Sequence, residues 1–149
     1  MAEDISVTLA FALHDSEPRV RTAAVGSLAR LSAKSADSFD VLASALEDPD
    51  PMIREESVQA FVEMGPRASG AIPELLRTLA NTKASIRRQA VTAIGSIGRE
   101  ASAAIPALRQ ATQDSDPEVA AEATRVLGLL TSLILAPPPA KYPLPRPPR

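Results

Sequence analysis

A phrase that returns every 33 residues constrains this chain more than any other feature. It reads Asp15-Ser-Glu-Pro-Arg-Val-Arg21, then Asp48-Pro-Asp-Pro-Met-Ile-Arg54, Asn81-Thr-Lys-Ala-Ser-Ile-Arg87 and Asp114-Ser-Asp-Pro-Glu-Val-Ala120. Apolar columns keep the same register without insertion: Leu9, Leu42, Leu75 and Leu108; Val20, Ile53, Ile86 and Val119; Leu28, Phe61, Ile94 and Leu127. A fixed period of this length marks a stack of supersecondary units, each too small to bury its apolar face alone.

Inside a unit the apolar positions fall at helical steps, as in Val20, Ala24, Leu28 and Leu31 or Ile53, Ser57, Phe61 and Met64. Pro18, Pro51 and Pro117 suit the first position of a second helix, and Asp50 and Asp116 stand before it as N-caps. In the third unit Lys83 or Ser85 must serve, less well. Shorter first helices are expected at about 5–13, 39–46, 72–80 and 105–112, the last two opening on Ile-Pro. Gly65 and Gly98 follow second helices, where a left-handed residue ends the turn. The expected fold is all-α, an α-α superhelix of four two-helix repeats at about 5–34, 38–67, 71–100 and 104–136. A proline-rich tail, 137–149, follows it.

Composition supports thin layers of packed helices. Apolar residues make up 45% of the chain and aromatics 3%, with no Trp, so the core must be built from Leu, Ile, Val and Ala. The absence of cysteine excludes a disulfide framework, thiolate metal ligands and a cysteine nucleophile. Met1 to Asp4 carry acid where a secretory signal carries base, so a cytoplasmic location is expected. The longest apolar stretch, 126–136, is broken by Gly128, Thr131 and Ser132 and is shorter than the roughly 20 residues that span a bilayer. Of the formal net charge of −2, the tail supplies three positive charges, which leaves residues 1–136 at −5. An acidic body argues against nucleic acid as a partner, and against a DNA glycosylase built on similar helical repeats.

The phrase Leu…Leu-x-Asp-x-Asp-Pro-x-Val-Arg-x-x-Ala…Leu…Gly resembles the HEAT-like repeats of the phycobilisome-lyase type, widespread in bacteria, over Ile5 to about Leu133. Three positions depart from it: Asn81 replaces the turn Asp, Ala84 the Pro and Ala120 the Arg. The resemblance implies a structural ladder in which Arg21, Arg54 and Arg87 pair with the turn Asp of a neighbouring unit, here Asp15, Asp48 and Asp114. It also implies that second helices line the concave side. That surface then presents Arg19, Thr22 and Arg30, followed by Met52, Glu55, Glu56, Gln59 and Glu63. Ser85, Arg88, Gln89 and Thr92 come next, and then Glu118, Glu122 and Arg125.

Independently of the resemblance, Glu55, Glu56, Gln59 and Glu63 lie opposite the apolar stripe of their helix. They form either a solvated face or an acidic groove for a basic partner segment. His14, the single histidine, sits beside Asp15 with no nucleophile or second base recurring near it. No catalytic residue, cofactor site or metal site is expected. At the C-terminal end Leu129, Leu130, Leu133 and Ile134 belong to a helix apolar on more faces than one neighbouring repeat covers. The tail, a second copy or another protein is expected over them. The tail, with Tyr142, Pro143, Leu144, Pro145 and Arg146, reads either as a basic proline-rich ligand or as a solubilising extension.

The functional expectation is a non-catalytic, protein-binding scaffold or adaptor that docks onto or stabilises a multi-subunit assembly. Self-association through the apolar end helix belongs to that expectation. The alternative, implied by the resemblance alone, is a bilin lyase or chaperone-like subunit acting on phycobiliproteins. One Tyr and no Trp make a tetrapyrrole pocket hard to build.

Overall fold

A computed structural model describes residues 2–32 and 38–136. Eight α-helices follow in order among these residues: α1 (Ala2–Ala12), α2 (Pro18–Ser32), α3 (Phe39–Ser44), α4 (Pro51–Met64), α5 (Ile72–Thr78), α6 (Ala84–Ile97), α7 (Ile105–Ala111) and α8 (Pro117–Leu135). The four second helices lie side by side, α2 on α4, α4 on α6 and α6 on α8. First helices pack on their own partners, as α1 on α2, α5 on α6 and α7 on α8. The all-α solenoid expected from the 33-residue period is the architecture found.

Local chemistry explains the helix starts. The Asp50 carboxylate accepts from the Met52 amide, and Asp116 accepts from the Glu118 and Val119 amides, satisfying donors that a helix leaves open in its first turn. Lys83 caps α6 with no side-chain bond, and the preceding Asn81 instead accepts from the Lys83 amide at 2.9 Å. Helix ends differ from the simple glycine turn. Gly65 and Gly98 do take positive φ, 53° and 73°, and each then opens a seven-residue 3₁₀ segment, Gly65–Ala71 and Gly98–Ala104. These segments turn Ala68, Ala71, Ala101 and Ala104 into the core with no exposed surface. α5 and α7 begin at Ile72 and Ile105 as expected and, like α3, end one or two residues early, whereas α1 begins earlier than expected, at Ala2.

Successive second helices approach closely. A Cβ on Gly95 would lie 2.8 Å from Val126 Cγ2, so glycine is what lets α8 settle against α6. The core runs without interruption through every repeat: Leu28, Leu42, Phe61, Leu75, Ile94, Leu108 and Leu130 are all fully buried. Each such side chain contributes about 1.5–3 kcal/mol through burial. Position in the stack decides exposure where the sequence column is constant. Ile53, Ile86 and Val119 are 0–2% exposed, whereas Val20, with no earlier repeat over it among the described residues, is 39% exposed.

Candidate protein-binding face

The turns and their arginines fix how the second helices face outward. Arg21 Nε donates to Asp48 Oδ2 at 2.9 Å, one repeat along, while its Nη1 donates to the Asp15 and Ser16 carbonyls of its own turn. Arg87 does the same with both ends, clasping Asp114 through Nε and Nη2 at 2.8 Å each and donating to the Asn81 and Thr82 carbonyls. This bidentate bond raises the Arg87 pKa and holds the Asp114 carboxyl below its usual range. Each turn Asp also braces its own loop, since Asp15, Asp48 and Asp114 accept from the amide two residues on.

Two members depart from the expected ladder. Asp15 stands in the first repeat, with no arginine before it, and its carboxylate holds the Glu17 amide. Arg54 is 8% exposed and meets Asn81 where its relatives meet Asp. An amide nitrogen cannot accept from a guanidinium, so Arg54 Nε turns to Gln89 Oε1 at 3.1 Å, and Nη1 takes the Asp48 and Pro49 carbonyls. Gln89 is thereby a bracing residue more than a free contact.

The remaining second-helix residues form a graded surface. Between α2 and α4 lies a groove of about 550 Å³ walled by Thr22, Gly26, Arg30, Glu56, Gln59, Glu63 and Arg67. It continues along α4 as a second depression of about 430 Å³ at Met52, Glu55, Glu56 and Gln59. Met52 is 74% exposed there, and Arg19 is exposed at the start of α2. Farther along, charges cancel. Arg88 pairs with Glu118 at 3.5 Å, and Glu122 binds both Arg125, at 2.6 Å, and the Thr92 hydroxyl, at 2.9 Å. The Arg125 bond pulls the Glu122 pKa down and pushes that of Arg125 up. By contrast Glu55, Glu56 and Glu63 pair with no cation among the described residues; Gln59 donates to Glu63 at 3.3 Å. α4 therefore presents three carboxylates without an ion pair among the described residues, in a groove that Arg30 and Arg67 also wall.

At the C-terminal end one expectation is corrected. Leu130 is fully buried against the core and is no contact residue. The helix turns it inward in register with Ile97 and Met64 one and two repeats earlier. Leu129 and Leu133 remain 41% and 37% exposed, and Ile134 is half-buried. The far side of α8 carries Thr124, Gly128 and Thr131, so the run is less apolar outward than its composition suggests. Arg99 closes the helix by donating to the Ala136 carbonyl at 3.1 Å. Tyr142, Pro143, Leu144, Pro145 and Arg146 lie outside the described residues.

Sequence reasoning missed two features. Arg67, which walls the α2–α4 groove, comes from the 3₁₀ segment after Gly65 and not from a helix face. Val7 and Phe11, 55% and 77% exposed, line an apolar groove of about 570 Å³ on the first-helix side with Val41 and Asp40. Their spacing of four, opposite Leu9 and Leu13, was the available signal. Among the described residues no group of three or more His, Asp or Glu is placed to hold a metal ion, and no helix is long and apolar enough to cross a membrane.

Comparison with known proteins fits this geometry. Comparison with curated proteins finds no match. Among solved structures, two crystal structures of engineered proteins from a structural genomics consortium align with TM-scores of 0.55 at 21% and 20% identity. They cover 86% and 87% of this chain, which spans 62% and 64% of theirs, less than two thirds of either. A third engineered protein aligns at 0.52 and 19% identity, over 85% of this chain and 37% of its own. At such identities the likeness is one of fold. A family model described as HEAT repeats matches residues 5–94 and again 72–141, and the chain belongs to the HEAT-repeat family.

Proposed function

We propose that this protein is a non-catalytic scaffold or adaptor whose second-helix face binds an extended basic segment of a partner protein in a larger, cytoplasmic assembly. One observation carries the reading: two adjoining depressions along α4, sharing Glu56 and Gln59, in which Glu55, Glu56 and Glu63 have no ion pair among the described residues, while Glu118 and Glu122 of the fourth repeat are paired. Carboxylates left unpaired in a groove attract a cationic segment and steer its approach. The exposed Met52 thioether adds an adaptable apolar contact. Solenoids offer such extended surface without a deep pocket.

The test is titration of a fluorescent Lys-Pro-Lys-Pro-Lys-Pro-Lys peptide at low salt. The full chain with Glu55→Gln, Glu56→Gln and Glu63→Gln should bind it at least about threefold more weakly than the parent, since each exposed pair contributes about 0.2–1 kcal/mol. Equal binding by the two chains contradicts the reading. The phycobilisome-lyase-type assignment, with its bilin lyase or chaperone role, rests on the turn phrase alone. The α2–α4 groove has no aromatic wall for a tetrapyrrole among its lining residues.

A further inference from the structure

We propose that the chain's own C-terminal segment, residues 137–149, lies in cis in the acidic groove along α4 until a partner displaces it. The inference rests on the groove reading above and supplies its regulation.

Charge complementarity is the first support. The segment holds Lys141, Arg146 and Arg149 and no acid, and the groove holds three glutamates, Glu55, Glu56 and Glu63, without an ion pair among the described residues, against the two arginines Arg30 and Arg67 on its walls. Reach is the second. A Cβ on Gly65, at the end of α4, would lie 3.7 Å from the Ser96 carbonyl near the end of α6, and one on Gly98 would lie 3.8 Å from Leu133 Cδ1 near the end of α8. The C-terminal ends of these helices therefore share one edge of the stack, the edge where Ala136 is held by Arg99 and where Glu63 sits. Two interaxial steps put α8 roughly 20 Å from α4. Lys141 and Arg146 stand five and ten positions beyond Ala136, about 15 and 30 Å along a proline-rich chain. Lys141, its long side chain spanning the difference, thus comes within range of Glu63, and Arg146 within range of Glu56 and Glu55, which lie seven and eight residues back along α4, roughly 10–12 Å on a helix.

Tethering makes the contact effective. A segment joined by a few residues acts at an effective concentration on the order of millimolar, which suits a weak, salt-sensitive groove and outcompetes a second copy at micromolar protein. Proline stiffness lowers the ordering cost.

The experiment compares the full chain with its Lys141→Gln, Arg146→Gln, Arg149→Gln variant, using the same Lys-Pro peptide as probe. At low ionic strength the variant should bind the probe about fivefold more tightly, with the advantage fading as salt rises. It should also disappear when Glu55→Gln, Glu56→Gln and Glu63→Gln are added. Equal affinity of both chains overturns the inference and leaves the groove reading standing, whereas no binding by either overturns both. An advantage that grows with protein concentration places the segment on a second copy and overturns the cis arrangement.

Discussion

Asn81 shows how one atom redirects a repeating structure. Asp48 and Asp114 each hold the amide two residues on through Oδ1 and accept the Nε of the preceding repeat's arginine at Oδ2, Asp114 Oδ1 accepting from Arg87 Nη2 as well. Asn81 keeps the first bond, through Oδ1 to the Lys83 amide, and loses the second. Asn81→Asp should therefore bring Arg54 into the ladder and stabilise the chain by about 1 kcal/mol, read as a higher urea midpoint at constant slope. A lower midpoint would contradict the ladder geometry. Asp114→Asn should lose about 1–2 kcal/mol at neutral pH. Because the Arg87 bond depresses the Asp114 pKa, its contribution is present above the ordinary carboxylate range near about 3.9 and is lost as pH falls through the depressed value. Parent and Asp114→Asn midpoints should converge on acidification. The arginine column and its turn partners were legible in the repeated phrase, but the consequence of Asn81 was not. The phrase shows which residue changed and does not show which neighbour, here Gln89, stands ready to accept.

Among elements, α8 separates what composition can tell from what register tells. The run Leu129, Leu130, Leu133, Ile134 has too few polar residues to mark which of its faces is buried, so composition shows only that it is apolar on more faces than one neighbouring repeat covers. Counting back by the repeat length aligns Leu130 with the buried Ile97 and Met64, a signal that was available. Leu130→Asp should consequently place an unpaired charge in the core and abolish the cooperative transition, at a cost of more than about 3 kcal/mol. Leu133→Asp should change stability by no more than about 0.5–1 kcal/mol. Circular dichroism during thermal unfolding distinguishes the two. The glycines one repeat apart make a sharper pair. Gly95→Val drives a side chain into Val126 and should cost about 1–3 kcal/mol. Gly128→Ala, with nothing within 4 Å of its Cβ, should gain about 0.5–1 kcal/mol through helix propensity. If Gly128→Ala were the more damaging change, the end of the stack would not be open. The 3₁₀ segments escaped the sequence because Ala and Ser at steps of three carry no strong periodic mark.

Across the whole molecule, periodicity dictated the architecture because each unit must bury its stripe against the next, and four units in phase admit few other solutions. The charge on the second helices departs from the period. Second helices of the third and fourth repeats neutralise their own charges, through Arg88 with Glu118 and Arg125 with Glu122, and α4 does not. That asymmetry was only partly legible. The glutamates of α4 could be read from the chain, but the local pairing that cancels the acids elsewhere depends on side chains meeting across α6 and α8. Chemical-shift mapping on the isotope-labelled full chain, titrated with the Lys-Pro peptide, tests the central claim most directly. Shifts concentrated on Thr22 to Arg30 and Met52 to Glu63 are the predicted result. Shifts confined to the Val7 and Phe11 groove, or to Leu129 and Leu133, would contradict it.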